Sequence, residues 1–138
     1  MRVGFTGSRT GITIVQNAEL ISLLASLKAT EAHHGDCIGA DDAFHKAALA
    51  LEIPIIIHPP DKDTYRAFCE GAIEVKAPKP YLRRNDDIVN STDVLIGCPK
   101  EFQEQFKGGT WYTIHYAQRQ GHPITIVYPN GIQTHRGW

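Results

Sequence analysis

Short β-rich apolar runs alternate along this chain with segments whose apolar residues recur at helical spacing. That alternation restricts the fold more than any other feature. Val3 to Thr6, Glu31 to His34, Ile53 to Ile57, Val94 to Gly97 and Ile124 to Tyr128 read as strands, with Pro54 at the start of its run. Between them, Leu20, Leu23, Leu24 and Leu27 fall at i, i+3, i+4 and i+7, behind a capping-box pattern from Thr13 to Gln16. A second helix begins at Gly39 and shares one face among Ala43, Phe44, Ala47, Ala48 and Leu51. Further helices are expected over Tyr81 to Asn90 and Thr110 to Gln120, the latter stopped by Gly121 and Pro123. Residues 58 to 80 hold four prolines and no clean period, so they read as one long loop of the kind that is functional or mobile. Pro129 to Trp138 is turn-like and is assigned no element.

Strand and helix in alternation predict an α/β fold: a single Rossmann-like three-layer domain over residues 1–138, with a mainly parallel sheet of about five strands. No repeat or linker divides the chain. Fourteen basic residues against fifteen acidic ones give a net charge of -1, which argues against gripping nucleic acid by phosphate neutralisation and still permits a local cationic pocket. Cys37, Cys69 and Cys98 are odd in number and lack CxxC spacing, so a reducing compartment is expected rather than a disulfide framework. The first residues already resemble a core strand rather than a leader, and no apolar run approaches the roughly 18 residues of a membrane span. A cytoplasmic protein without membrane contact is the expectation.

Three turns carry the chemistry. Gly7-Ser8-Arg9, HGDCIGAD (His34 to Asp41) and KGGT (Lys107 to Thr110) each lie where a strand gives way to a helix. Gly7, Gly35, Gly39, Gly108 and Gly109 let backbone N–H groups approach an anion, and the following helices add unpaired donors. Ser8 and Thr110 supply hydroxyls, and Arg9 a planar fork suited to phosphate. The plainer reading of each is a tight strand-to-helix turn. Neither GxGxxG nor GxxxxGK[ST] occurs at them. Arg84 and Asn85, with Arg83 beside them, open a helix and could contact a phosphate or base, or form a solvated face.

Other chemistries find less support. Adjacent His33 and His34 point to opposite faces of a strand, no pair has closed-zinc spacing, and neither metal nor cofactor is called for. Cys37 beside His34 reads as a packed thiol before a nucleophile, and no GxSxG surrounds Ser8. Trp111 or Tyr112 could stack on a base or pack in the core, and Tyr65, Arg66 and Phe68 could belong to a lid or to an irregular surface loop.

Taken in order, TGSR, HGDCIGADDAFHKAAL, RRNDDIVNSTDVLIGCP and GGTWYTIHYAQRQGHPITIV resemble the SLOG superfamily of Rossmann-like proteins. That group includes the LOG phosphoribohydrolases and the DNA-processing protein A domain, and the resemblance is strongest to its small YspA-like branch. It implies a pocket for a nucleotide or nucleotide-derived, phosphoribosyl-containing ligand. Phosphate would sit at Gly7 to Arg9 and Gly108 to Thr110, and Asp41 would lie near the ribose. One departure stands out. LOG enzymes place a catalytic glutamate two or three residues past the glycine-threonine turn, where this chain has Tyr112 and Thr113. As an enzyme it would need a carboxylate from Asp36, Asp41 or Asp42.

The favoured reading is therefore binding of a nucleotide-type small molecule at the glycine turns. The alternative is a phosphoribohydrolase or related enzyme that hydrolyses or transfers a ribosyl–base N-glycosidic bond. A third, a nucleic-acid-associated module, is disfavoured by the charge balance. A homo-oligomer is expected, because related folds pair through helices.

Overall fold

The computed structural model describes residues 1–138. In chain order the elements are β1 (Arg2–Gly7), α1 (Ile14–Ser26), β2 (Glu31–His34), α2 (Ala40–Ala50), β3 (Ile55–Ile57), β4 (Glu74–Val75), α3 (Tyr81–Asn90), β5 (Val94–Cys98), α4 (Gly109–Arg119), β6 (Ile124–Val127) and β7 (Gln133–Arg136). The strands form one sheet ordered β4-β3-β2-β1-β5-β6-β7. All pairings are parallel except β6 with β7.

Helices cover both faces. Residues two apart along a strand share a side, so Val3, Phe5, Val94 and Ile96 pack with Leu20, Leu24 and Phe44 of α1 and α2. On the opposite face Leu95, Ile124 and Ile126 pack with Val89 of α3 and with Trp111, Ile114 and Ala117 of α4. Phe5 and Phe44 stack with ring centroids 4.5 Å apart. His33 and His34 do take opposite faces: one ring meets His58, the other His45.

The sheet has seven strands rather than five. β4 lies inside the stretch expected to be all loop: two exposed residues that pair with Ile56 and Ile57. β7 lies in the tail to which no element was assigned, and its polar Gln133-Thr134-His135-Arg136 returns antiparallel beside β6. Neither strand is buried enough to require an apolar pattern. β7 did leave one local signal, Asn130-Gly131, with Gly131 at φ +84° inside a turn closed by the Gly131 N–H on the Tyr128 carbonyl.

The capping box over Thr13 and Gln16 forms as the spacing predicts. Gln16 also does more. Its buried amide accepts from the Thr13 N–H and donates to the carbonyls of Pro99 and Val127, which lie just past β5 and at the end of β6. One side chain thus fixes the start of α1 against the carboxyl ends of two strands. Gln16→Ala leaves those three backbone groups unpaired, so urea unfolding should show a loss of about 2–3 kcal/mol. A loss under about 0.5 kcal/mol, within the range of ordinary surface substitutions, would mean water replaces the amide freely.

Candidate ligand-binding site

The chain runs outward from β1 through β2, β3 and β4, then returns to place β5 on the other side of β1. That reversal opens a crevice at the carboxyl ends of β1 and β5. A cavity of about 580 Å³ occupies it, and Gly7, Ser8 and Arg9 line it together with Gly108, Gly109 and Thr110. Gly35, Asp41, Arg84 and Asn85 line it as well, whereas Gly39, Asp36 and Asp42 do not.

The glycines divide into two kinds. A Cβ on Gly7 would fall 2.5 Å from the Ala40 Cβ, one on Gly35 would strike the Arg84 guanidinium, and one on Gly39 the Arg9 carbonyl. At these positions the missing side chain lets the protein pack against itself. Gly39, at φ +85°, brings the start of α2 beneath the first turn, where the Ala40 N–H donates to the Ser8 carbonyl at 2.9 Å. Gly108, at φ +101°, has nothing within 4 Å of where a Cβ would be. Behind it the N–H groups of Gly109, Thr110 and Trp111 have no acceptor in the protein, as the first turn of a helix dictates. This second turn thus presents open backbone to the cavity.

Ser8 shapes its own turn: its N–H donates to the Cys98 carbonyl, its hydroxyl accepts from the Thr10 N–H and meets the Thr10 hydroxyl at 2.7 Å. Arg9 has neither a carboxylate partner nor a side-chain hydrogen bond, and its guanidinium carbon lies over the Tyr65 ring, 4.1 Å from the centroid. Lys100 and Lys107 also line the cavity without ion-pair partners. Lys107 heads the KGGT turn but was not counted among its donors, and Lys100, a lone lysine in an irregular segment, carries no spacing to mark it. Arg84 is employed differently. It is buried and donates to the carbonyls of Gly35 and His58 and to Cys37 Sγ, which ties together the ends of β2 and β3.

Of the three candidate carboxylates, Asp36 has 0% exposure and is fully occupied: it accepts from Arg66 Nε and the Cys69 N–H, each at 2.9 Å. Asp42 faces Lys46 and the Cys69 thiol. Asp41 alone reaches the cavity, where Oδ2 accepts from the Cys37 N–H at 3.1 Å. Burial pushes its carboxyl up to about 6, against the opposing pull of Arg84 and the Cys37 N–H. Burial likewise raises the Cys37 thiol, which suits a packed group rather than a thiolate nucleophile. Trp111 lines the cavity from the core, its indole N–H on Glu101 at 3.0 Å. Tyr112 bonds Asp86 away from it.

The structure also gathers three potential metal ligands from separate elements, His34, His45 and Cys69, with ligand atoms all within 4.8 Å. Hydrogen bonds already occupy the two imidazoles. The Asp36 N–H donates to His34 Nδ1, so the His34 proton sits on Nε2 and points to His45 Nδ1 at 2.8 Å. His45 Nε2 then donates to the Glu70 carbonyl. Neither imidazole keeps a free lone pair, so the cluster braces the loop after β3 and is not arranged to chelate.

No family model matches the sequence, and no curated protein matches it. Among solved structures the fold is similar to a molybdenum cofactor binding protein from the phototrophic bacterium Rippkaea orientalis, with a TM-score of 0.70 and 18% identity over 91% of this chain and 75% of that one. It is also similar to the structural-genomics target TM1055, with a TM-score of 0.63 and 17% identity over 90% of this chain and 72% of that one. At these identities the likeness is one of fold. No helix is long and apolar enough to cross a membrane.

The raised Asp41 carboxyl has a measurable consequence. From its ordinary value of 3.8 up to about 6 the folded chain holds a proton that the unfolded chain has lost, so Asp41's contribution to stability declines as pH rises through that window. Asp41→Asn removes the titration and retains an acceptor for the Cys37 N–H. The stability of wild type minus that of the variant should therefore fall by roughly 2–3 kcal/mol between about pH 4 and pH 7. Parallel pH profiles for the two proteins would contradict the assignment.

Proposed function

We propose that residues 1–138 form one nucleotide-binding domain of the SLOG type, YspA-like branch, with the Rossmann-like layout that the resemblance implies. Its ligand is a nucleotide or nucleotide-derived, phosphoribosyl-containing molecule held in the crevice between β1 and β5. The observation that carries this reading is the convergence of two strand-to-helix turns on one cavity whose nearby cations Arg9, Lys100 and Lys107 have no carboxylate partners. The phosphate meets the open N–H groups after Gly108, the Thr110 hydroxyl and the edge of Arg9. Asn85, beside Gly109, and Asp41, which also lines the cavity, serve the sugar or base. A volume near 580 Å³ lies within the usual range for small-ligand sites. A neighbour of the same fold that binds the molybdenum cofactor is consistent with a small-molecule occupant.

Asp41 favours a second reading, hydrolysis of a ribosyl–base bond. It is the cavity carboxyl whose raised pKa, about 6, leaves it able both to give and to take a proton near neutrality. Asp36 and Asp42 would act in such an enzyme only by holding the surrounding loops.

Thermal shift and base release, followed together over a panel of nucleosides and their 5′-phosphates, test both readings. Binding raises the melting temperature without release. Turnover releases free base, and Asp41→Asn abolishes it. Arg9→Ala should weaken phosphorylated ligands at least tenfold and leave the matching nucleosides unchanged, as the loss of a charge-assisted contact requires. Equal losses for both classes would overturn the phosphate assignment.

A further inference from the structure

Arg9 is the only arginine of the cavity whose guanidinium meets no hydrogen-bond acceptor, and a free side chain of this type has several rotatable bonds to lose on binding. Tyr65 supplies what orders it. The ring lies 4.1 Å from the guanidinium carbon, although Tyr65 belongs to the long segment after β3 and Arg9 to the turn after β1. We propose that Tyr65 is a positioning residue for phosphate: it holds Arg9 in its binding orientation. This rests on the ligand-binding reading above.

Stacking is chemically apt because it uses the flat face of the guanidinium. The N–H donors lie in the plane and project from its edge, so a guanidinium held on a ring keeps its fork free for a phosphate. An ion pair would instead consume that fork. The contact needs an aromatic face and makes no use of the phenol hydroxyl.

The ring is in turn held through its own carbonyl and through the residues that follow it. The Tyr65 carbonyl accepts from the Ile38 N–H at 2.9 Å. The next residue, Arg66, is bound to the buried Asp36 carboxylate, and the Ala67 N–H donates to the Asp36 carbonyl at 2.7 Å. Cys69 returns a further N–H to the same carboxylate. Asp36, itself at φ +58°, thereby fastens residues 65–69 to the end of β2. Tyr65 remains 42% exposed, so its packing does not account for this fastening, whereas a platform at a cavity rim does.

Calorimetry with inorganic pyrophosphate and with adenosine 5′-monophosphate, adenosine serving as the unphosphorylated control, tests the proposal on the full chain. Tyr65→Leu should weaken both phosphorylated probes roughly five- to tenfold and leave adenosine unchanged, while Tyr65→Phe stays within about twofold of wild type. In an Arg9→Ala background Tyr65→Leu should have no further effect, because both substitutions remove one device. An upfield-shifted Arg9 Nε–H resonance, lost in Tyr65→Leu, reports the stack without any ligand. Affinity in Tyr65→Leu equal to wild type, or an undiminished effect in the Arg9→Ala background, overturns the positioning role and leaves the binding site intact. Failure of wild type to bind either phosphorylated probe overturns the binding reading and this proposal together, even where the resonance shows the stack.

Discussion

Everything at the candidate site depends on a reversal in the order of strands. Successive strands move outward from β1 on one side, then β5 begins again on the other. The connection leaving β1 leads to α1, which shares a face with α2, and the connection leaving β5 leads to α4 on the opposite face with α3. Two adjacent strand ends therefore send their chains in opposite directions, and neither connection covers the gap. The crevice is a property of the topology. Side chains decide only what it can hold.

Around that gap the protein turns several of its charged groups inward. Arg84 is almost wholly buried, yet it meets carbonyl oxygens from the ends of β2 and β3 rather than a carboxylate. Asp36 is buried deeper and collects donors from the segment after β3. A buried charge left unpaired would be very costly, whereas one supplied with several backbone partners becomes a fastener that resists displacement. Gly35 belongs to the same device, since any side chain there would occupy the place of the Arg84 guanidinium. The crevice is bordered by stiff, internally satisfied polar joints, and this makes a rigid wall out of segments that carry little regular structure.

Most of the parallel core was legible because β1, β3, β5 and β6 are buried on both faces and mainly apolar, and because α1 carries its start signal and α4 its stop signal in the chain itself. Five of the seven strands and all four helices fall where periodicity puts them, with ends shifted by a residue or two. The edge strands were not legible, because a two-residue β4 and a polar β7 bury too little to impose a pattern. At the site, the turns at Gly7 and Gly108 could be read as neighbours once a parallel sheet was assumed. The distinction between Asp41 and its neighbours Asp36 and Asp42 could not, since it depends on which way each carboxylate turns around the start of α2. Nor could the contact of Tyr65 with Arg9, which joins residues far apart in sequence through a segment with no period.

The distribution of charge explains how a molecule with a net charge of -1 can still attract an anion. Arg2, Lys46, Arg66, Lys76, Lys79 and Arg136 each lie against a carboxylate, so six of the ten cations outside the cavity are neutralised where they stand. None of the four in its lining, Arg9, Arg84, Lys100 and Lys107, has such a partner. On the acidic side, Glu101 is engaged by the Trp111 indole and Asp41 is partly protonated near neutrality. Paired charges cancel within a few ångströms, while unpaired ones around a concave, low-dielectric wall add and are focused by it. The overall balance of the sequence thus conceals a local excess of positive potential, and it lies where the reversal of strand order leaves the backbone donors after Gly108 open to the cavity.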